Sequence, residues 1–277
     1  MPKPLIFIKV LFAFFLIVPV VVDPSLAQTL REPVLSARSA IVIDVNNGGV
    51  LYSKNPALKL PPASTTKVMT AILALEKLPP DQEVLISQSA VRVAPSKAGL
   101  TLNAKYPVAH LIVATLVSSS NDAAVALAEA VAGDEDSFVK LMNEKARALG
   151  MENTHFVNAT GLTDKRRSQY TTVHDLARLI RYATKDKRID QVLGVTTAYI
   201  KGSDGKLIFI KNHNKMLWRA PKFVKGKTGW TFASRHTFVG TDYPSDKKIA
   251  FALLSSKKPW IDIERLAAFG LLLKNRN

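Results

Sequence analysis

The stretch Leu60-Pro61-Pro62-Ala63-Ser64-Thr65-Thr66-Lys67-Val68-Met69-Thr70 decides how this chain is read. Pro61 and Pro62 hold its first residues extended, because a proline pushes the residue before it out of helical conformation. From Ser64 onward Val68, Ala71, Ile72, Leu75 and Leu78 recur at helical spacing, and Pro79-Pro80 stops the pattern. A helix over 64–78 is therefore predicted, with Ser64 at its N-terminus. Ser64 and Lys67 are three residues apart and share a face, so the amine can reach the hydroxyl and take its proton. Free N–H groups at a helix start also stabilise developing negative charge. Taken alone, Ser64 would be an ordinary N-cap.

Two further motifs single this serine out. Ser-x-x-Lys occurs five times, at Ser64/Lys67, Ser137/Lys140, Ser203/Lys206, Ser245/Lys248 and Ser255/Lys258. Ser-x-Asn occurs at Ser53/Asn55 and Ser119/Asn121, and Lys227-Thr228-Gly229 occurs once. Only Ser64 precedes a Ser-x-Asn that in turn precedes Lys-Thr-Gly. Ser119 falls in a break between two helical patterns, over 107–117 and 121–131. Lys227 falls in a strand predicted over 224–228.

Outward from these motifs the chain alternates in texture. A strand over 40–45, a turn at Asn46-Asn47-Gly48-Gly49 and a second strand over 50–52 form a hairpin. A short strand over 84–86 and helices over 136–149 and 172–183 follow. Strands are then predicted over 192–200, 207–211, 237–241 and 249–254, and a helix over 260–274. Strands at both ends with helices between them imply an α/β (α+β) fold whose one sheet is built from both termini.

The set Ser-x-x-Lys, Ser-x-Asn, Lys-Thr-Gly is the signature of penicillin-binding proteins and class A β-lactamases. The 60–70 stretch resembles the nucleophile segment of the D-alanyl-D-alanine carboxypeptidase family of low-molecular-weight penicillin-binding proteins, peptidase family S11. Residues 116–129, 138–143, 148–151, 170–177, 212–217 and 227–231 resemble further segments of that family in order, so the likeness runs from about 40 to 272. It implies a β-lactamase/transpeptidase-like fold: an antiparallel sheet flanked by helices, with an all-helical lobe. It implies Ser64, Lys67 and Ser119 as catalytic residues: nucleophile, base and proton relay. Asn121, Lys227, Thr228, Gly229 and Trp230 would bind substrate, with Lys227 and Thr228 on its terminal carboxylate. The backbone N–H groups of Ser64 and Trp230 would form the oxyanion hole. The chain departs from the family at Arg235, where glycine is frequent, and at Thr160-Gly161, where histidine often precedes the glycine.

Composition bounds the rest. Among 277 residues, 38 Lys+Arg stand against 22 Asp+Glu, a net charge of +16, and cysteine is absent. Disulfides, a thiol nucleophile and a Cys-ligated zinc site are excluded. The five histidines show no metal-ligand spacing, so no metal or cofactor is expected. Lys3 and Lys9, an apolar run over 10–22 and Ser25-Leu26-Ala27 describe a secretory signal peptide over 1–27, cut between Ala27 and Gln28. An uncleaved N-terminal anchor is the alternative, and either places the protein outside the cytoplasm. The region 28–277 then reads as one D,D-peptidase catalytic domain, with no second β-rich domain and no C-terminal amphipathic anchor. Cleavage would leave +15, which favours contact with anionic envelope polymers. Nucleic acid is not expected as a partner of an exported protein.

The resemblance implies peptidoglycan D-alanyl-D-alanine peptides as substrates and β-lactams as covalent inhibitors. A carboxypeptidase trimming the last D-alanine is the leading expectation, and an endopeptidase cutting crosslinks is the alternative. A class A β-lactamase fits less well, because the only carboxylates in 152–171 are Glu152 and Asp164, and neither begins Glu-x-x-x-Asn. An inert wall-binding protein would need the motifs to be idle.

Overall fold

The computed structural model describes residues 31–219, 224–242 and 249–276; the expected signal segment, 1–27, lies outside them. Strands β1 (Ser39–Asp44) and β2 (Val50–Lys54) form the predicted hairpin, with Gly48 at φ 80° in the turn. They are followed by helix α1 (Lys67–Lys77), strand β3 (Glu83–Leu85), helix α2 (Gln88–Arg92) and strand β4 (Lys105–Pro107). Helices α3 (Val108–Val117), α4 (Asn121–Ala132), α5 (Glu135–Ala148), α6 (Val173–Ala183) and α7 (Lys187–Val192) fill the middle of the chain. Strands β5 (Thr197–Lys201), β6 (Leu207–Lys211), β7 (Val224–Thr231), β8 (Arg235–Asp242) and β9 (Ile249–Ser256) lead to helix α8 (Pro259–Arg276).

The main sheet is antiparallel in the order β2-β1-β9-β8-β7. Its centre pairs β1 with β9, so the two ends of the fold meet there as expected. Every residue of β1 and β9 is buried, which requires cover on both faces. Helix α8 lies against β1, β2, β8 and β9, and α6 lies against β1, β8 and β9. Gly270 lets α8 come close, since a Cβ there would meet Val42 Cγ1 at 2.6 Å. Beside the sheet, α1 to α5 form the helical lobe around Val68, Met69, Ile72, Leu111, Leu127 and Phe138, all at most 2% exposed.

Three local expectations need correction. The strand predicted over 192–200 begins only at Thr197, because Asp186 accepts from Arg188 N at 2.8 Å and caps α7 across the preceding residues. The helix predicted from Ser64 starts as a 3-10 turn, Ala63–Thr66, and becomes α-helical at Lys67. The strand predicted over 224–228 continues to Thr231, so Lys227-Thr228-Gly229 lies inside β7 rather than at its end. Helix α2 and strand β4 carry too few residues for periodicity to reveal.

Asp122, in the first turn of α4, fastens a neighbouring loop. It is 1% exposed and accepts from the backbone N–H groups of Ala98, Gly99 and Leu100 at 3.0, 2.9 and 3.2 Å. The neighbouring Asn121 N–H donates to Ser96 O at 2.7 Å, and its Nδ2 donates to Ala94 O at 2.8 Å. The 94–100 loop is thereby fastened to the start of α4. Replacing Asp122 by Ala removes the acceptor of all three N–H groups, of which that of Leu100 is buried, and is expected to cost about 1–3 kcal/mol. Urea unfolding of Asp122→Ala measures this; a loss under about 0.5 kcal/mol, the range of neutral surface changes, would contradict the fastening role.

Candidate active site

Ser64 sits in a turn that the chain holds from several sides. Ala63 takes φ 48°, a left-handed conformation that costs a residue with a Cβ about 1–2 kcal/mol. Pro62 O anchors the turn, accepting from Thr65 Oγ1 at 2.7 Å and from Thr237 Oγ1 of β8 at 3.0 Å. Gly161 presses on it from the other side: a Cβ there would collide with Ala63 O and approach Thr66 Oγ1 to 2.9 Å. Gly229 of β7 also passes close, since a Cβ there would lie 2.7 Å from Ser64 N. Edge strand, 3-10 turn and the 158–162 loop therefore converge on one backbone segment.

Lys67 lies one turn deeper, fully buried. Its Nζ donates to Ser64 Oγ at 3.0 Å and to Thr160 O at 2.7 Å. Burial pushes its pKa well below the ordinary lysine value, and the nearby charge of Lys227 pushes the same way; Asp122 opposes them more weakly. Lys227 is itself 1% exposed and donates to Thr228 O at 2.8 Å. Burial lowers its pKa from 10.5 to about 7. One amine is thus held toward its neutral form against a hydroxyl, and a second is poised to change charge near neutrality.

Ser119 occupies the gap between α3 and α4 at φ 60°, and Asn121 opens α4 with its Oδ1 buried and unpartnered. The cleft, of about 720 Å³, is lined by Ser64, Ser119, Asn121, Thr228, Gly229 and Trp230. Pro95, Ser96, Gly161, His213, Phe232, His236, Thr237 and Trp260 complete much of the wall. All eight residues singled out in sequence therefore come together: six line the cleft, and Lys67 and Lys227 lie buried beside them. No carboxylate lines the cleft among the described residues, nor do these hold a cluster of metal ligands.

Several contributors carried no signal in the sequence. Asn158 Oδ1 accepts from Thr160 Oγ1 at 3.0 Å and Gly161 N at 2.7 Å, which aims Thr160 O at Lys67. Thr70 Oγ1 donates to Ala159 O at 2.7 Å and ties the same loop to α1. Their order along the chain does not predict this, because the loop is some 90 residues from Lys67. His213 lines the cleft, with its pKa lowered by burial and by the charges of Lys227 and Lys67. Trp230 is half exposed and meets Phe232 edge-on, ring centroids 4.9 Å apart. The two departures from the family pattern are accommodated locally. Arg235 takes φ 56°, a conformation natural to glycine. Thr160 keeps its loop hydrogen bonds, and Gly161 stays at φ 80°.

Chemically, the arrangement offers a hydroxyl, an amine able to accept its proton, a second hydroxyl and an edge strand beside them. These are the parts of acyl transfer through a serine ester. Comparison with known proteins agrees. The model of the peptidase S11 family, D-alanyl-D-alanine carboxypeptidase, matches residues 26–257. D-alanyl-D-alanine carboxypeptidase DacF of Bacillus subtilis is 31% identical over 228 residues, covering 80% of this chain and 58% of that protein. The D-alanyl-D-alanine endopeptidase of Escherichia coli is 32% identical over 245 residues, covering 85% of this chain and 76% of that protein. The crystal structure of D-alanyl-D-alanine carboxypeptidase from Mycobacterium tuberculosis H37Rv superposes with a TM-score of 0.82 at 30% identity, covering 89% of this chain and 95% of that one. With its three motifs gathered around one cleft and the family model spanning most of its length, this chain belongs to the D-alanyl-D-alanine carboxypeptidase family, peptidase S11.

Proposed function

We propose that this chain is a serine D,D-peptidase that removes the terminal D-alanine from peptidoglycan stem peptides through a Ser64 acyl-enzyme. The observation that carries the reading is the buried Lys67 Nζ, 3.0 Å from Ser64 Oγ, with its pKa lowered by burial and by Lys227. Ser64 Oγ attacks the carbonyl carbon of the penultimate D-alanine while its proton passes to Lys67 Nζ. The N–H groups of Ser64 and Trp230 receive the negative oxygen; such a donor is worth about 10²–10³ in rate. The C–N bond breaks as a proton moves from Lys67 through Ser119 to the leaving nitrogen. Water then attacks the ester and gives a proton to Lys67, which returns it to Ser64 Oγ as the C–O bond breaks. Lys227 and Thr228 hold the terminal carboxylate, and Asn121 holds the substrate amide. Peptidoglycan as substrate places the work outside the cytoplasm, and the apolar segment over 10–22 is then the export signal. No helix among the described residues is long and apolar enough to cross a membrane.

Penicillins, whose ring amide acylates the same nucleophile, should label Ser64 and hydrolyse slowly, because among the described residues no carboxylate lines the cleft to activate water. Labelling with a fluorescent penicillin, followed by peptide mass spectrometry, tests this. The expected result is one adduct on Ser64, lost in Ser64→Ala and slowed about 10²–10⁴-fold in Lys67→Ala. An adduct on another serine would overturn the assignment.

Crosslink cutting is the second reading, favoured by the similarity to the Escherichia coli endopeptidase. It uses the same acyl-enzyme and differs only in what leaves. Parallel digestion of monomeric pentapeptides and crosslinked dimers, resolved by chromatography, separates the two. Release of D-alanine faster than dimer cleavage is expected; dimer cleavage with intact pentapeptide would install the endopeptidase instead.

A further inference from the structure

Away from the cleft, the hairpin β5–β6 exposes an apolar face that the reaction does not use. Its inner residues Ile200, Ile208 and Ile210 are buried, and the hairpin lies along α3. On the outer face Tyr199, Leu207 and Phe209 are each more than half exposed. Tyr199 stands directly opposite Phe209, and their rings lie 5.2 Å apart. Lysines frame them, since Lys201 pairs with Leu207 and Lys211 continues the same face. Lys211 Nζ then sits over the Trp218 ring at 5.1 Å, and Lys215 Nζ over the Trp260 ring at 5.8 Å. Trp260 lines the cleft. His213 lines both the cleft and a neighbouring hollow of about 550 Å³ formed with Lys211, Lys215 and Trp218. The aromatic and basic surface is therefore continuous with the active site.

We infer that this face binds the glycan strand of the polymer whose stem peptide occupies the cleft, an inference that rests on the peptidase reading above. Three large apolar side chains side by side are unusual on a solvated surface and mark a contact site. Aromatic faces offer flat apolar area to the C–H faces of sugar rings while tolerating a wet rim. Between residues 195 and 219, five Lys and Arg stand against the single acid Asp204. Of these, Arg219 is paired with Glu264 at 3.2 Å. The lysines complement the carboxylates of neighbouring stems, and this gives part of the chain's excess positive charge a specific use. Outward residues two apart along β6 are about 7 Å apart, so Leu207, Phe209 and Lys211 form an extended track leading to the cleft. A substrate fixed by its terminal carboxylate must leave the cleft somewhere, and this track accepts a polymer of that charge.

The test uses two double variants of the full chain, Tyr199→Ser/Phe209→Ser and Lys201→Glu/Lys211→Glu. Binding to insoluble peptidoglycan stripped of protein is measured by sedimentation, and Ser64 acylation by fluorescent penicillin is measured on the same samples. The aromatic pair should weaken wall binding about tenfold, equivalent to about 1.4 kcal/mol, with acylation unchanged. The charge pair should also weaken it and flatten its salt dependence. Unchanged acylation shows that the variants are folded. Wall binding equal to wild type in both variants would overturn the inference. So would loss of binding to phosphatidylglycerol vesicles with wall binding retained, which would assign the face to a membrane. Failure of the wild type to acylate, with wall binding still dependent on these residues, would remove the peptidase reading and leave the surface standing.

Discussion

Lys67 is the residue the molecule is built to accommodate. A lysine amine is normally charged and solvated, and taking it out of water is costly unless it is partnered or neutral. Here the amine is fully buried at the foot of α1, with Ser64 Oγ and Thr160 O as its hydrogen-bond partners. Both partners come from irregular backbone, so the amine's position depends on how those segments are held. The Asn158 side chain and Thr70 fix the loop that presents Thr160 O. Pro62 O and Thr237 fix the turn that presents Ser64.

Strain gathers in the same place. Ala63 and Ser119 both take positive φ, and Gly161 and Gly229 pass where a Cβ would collide. Such conformations persist only where surrounding packing over-determines them. The packing is supplied by the fully buried strands β1 and β9 and by the helical lobe. A second buried amine, Lys227, adds like charge to the same region. Stability is thus given up locally to hold two buried lysines beside the cleft, as expected of a site tuned for proton transfer.

Much of this was legible in the sequence for a definite reason. Hydrophobic periodicity shows elements that are long and one-sided, such as the strand at 40–45 and the helices at 107–117 and 172–183. Motif order, rather than any single motif, picked out Ser64 and brought Ser119, Asn121 and Lys227-Thr228-Gly229 to one site. What escaped are contacts made by side chains to distant backbone. Asp122 holding 98–100 and Asn158 aiming Thr160 look like ordinary polar residues in one dimension, because their partners are set by the tertiary fold. Short elements such as α2 and β4 escaped because too few residues repeat.

Two buried lysines with separate and lowered pKa values underlie the chemistry of the site, and direct titration tests this. Lysine side chains labelled with ¹³C at Cε can be followed by NMR against pH, with Lys67→Ala and Lys227→Met assigning the two signals. Below its pKa each amine is charged, and above it neutral, so Lys227 should lose its charge near pH 7. Lys67 should titrate well below 10.5, and its pKa should rise in Lys227→Met as the like charge is removed. Two signals titrating together near 10.5 would contradict the account.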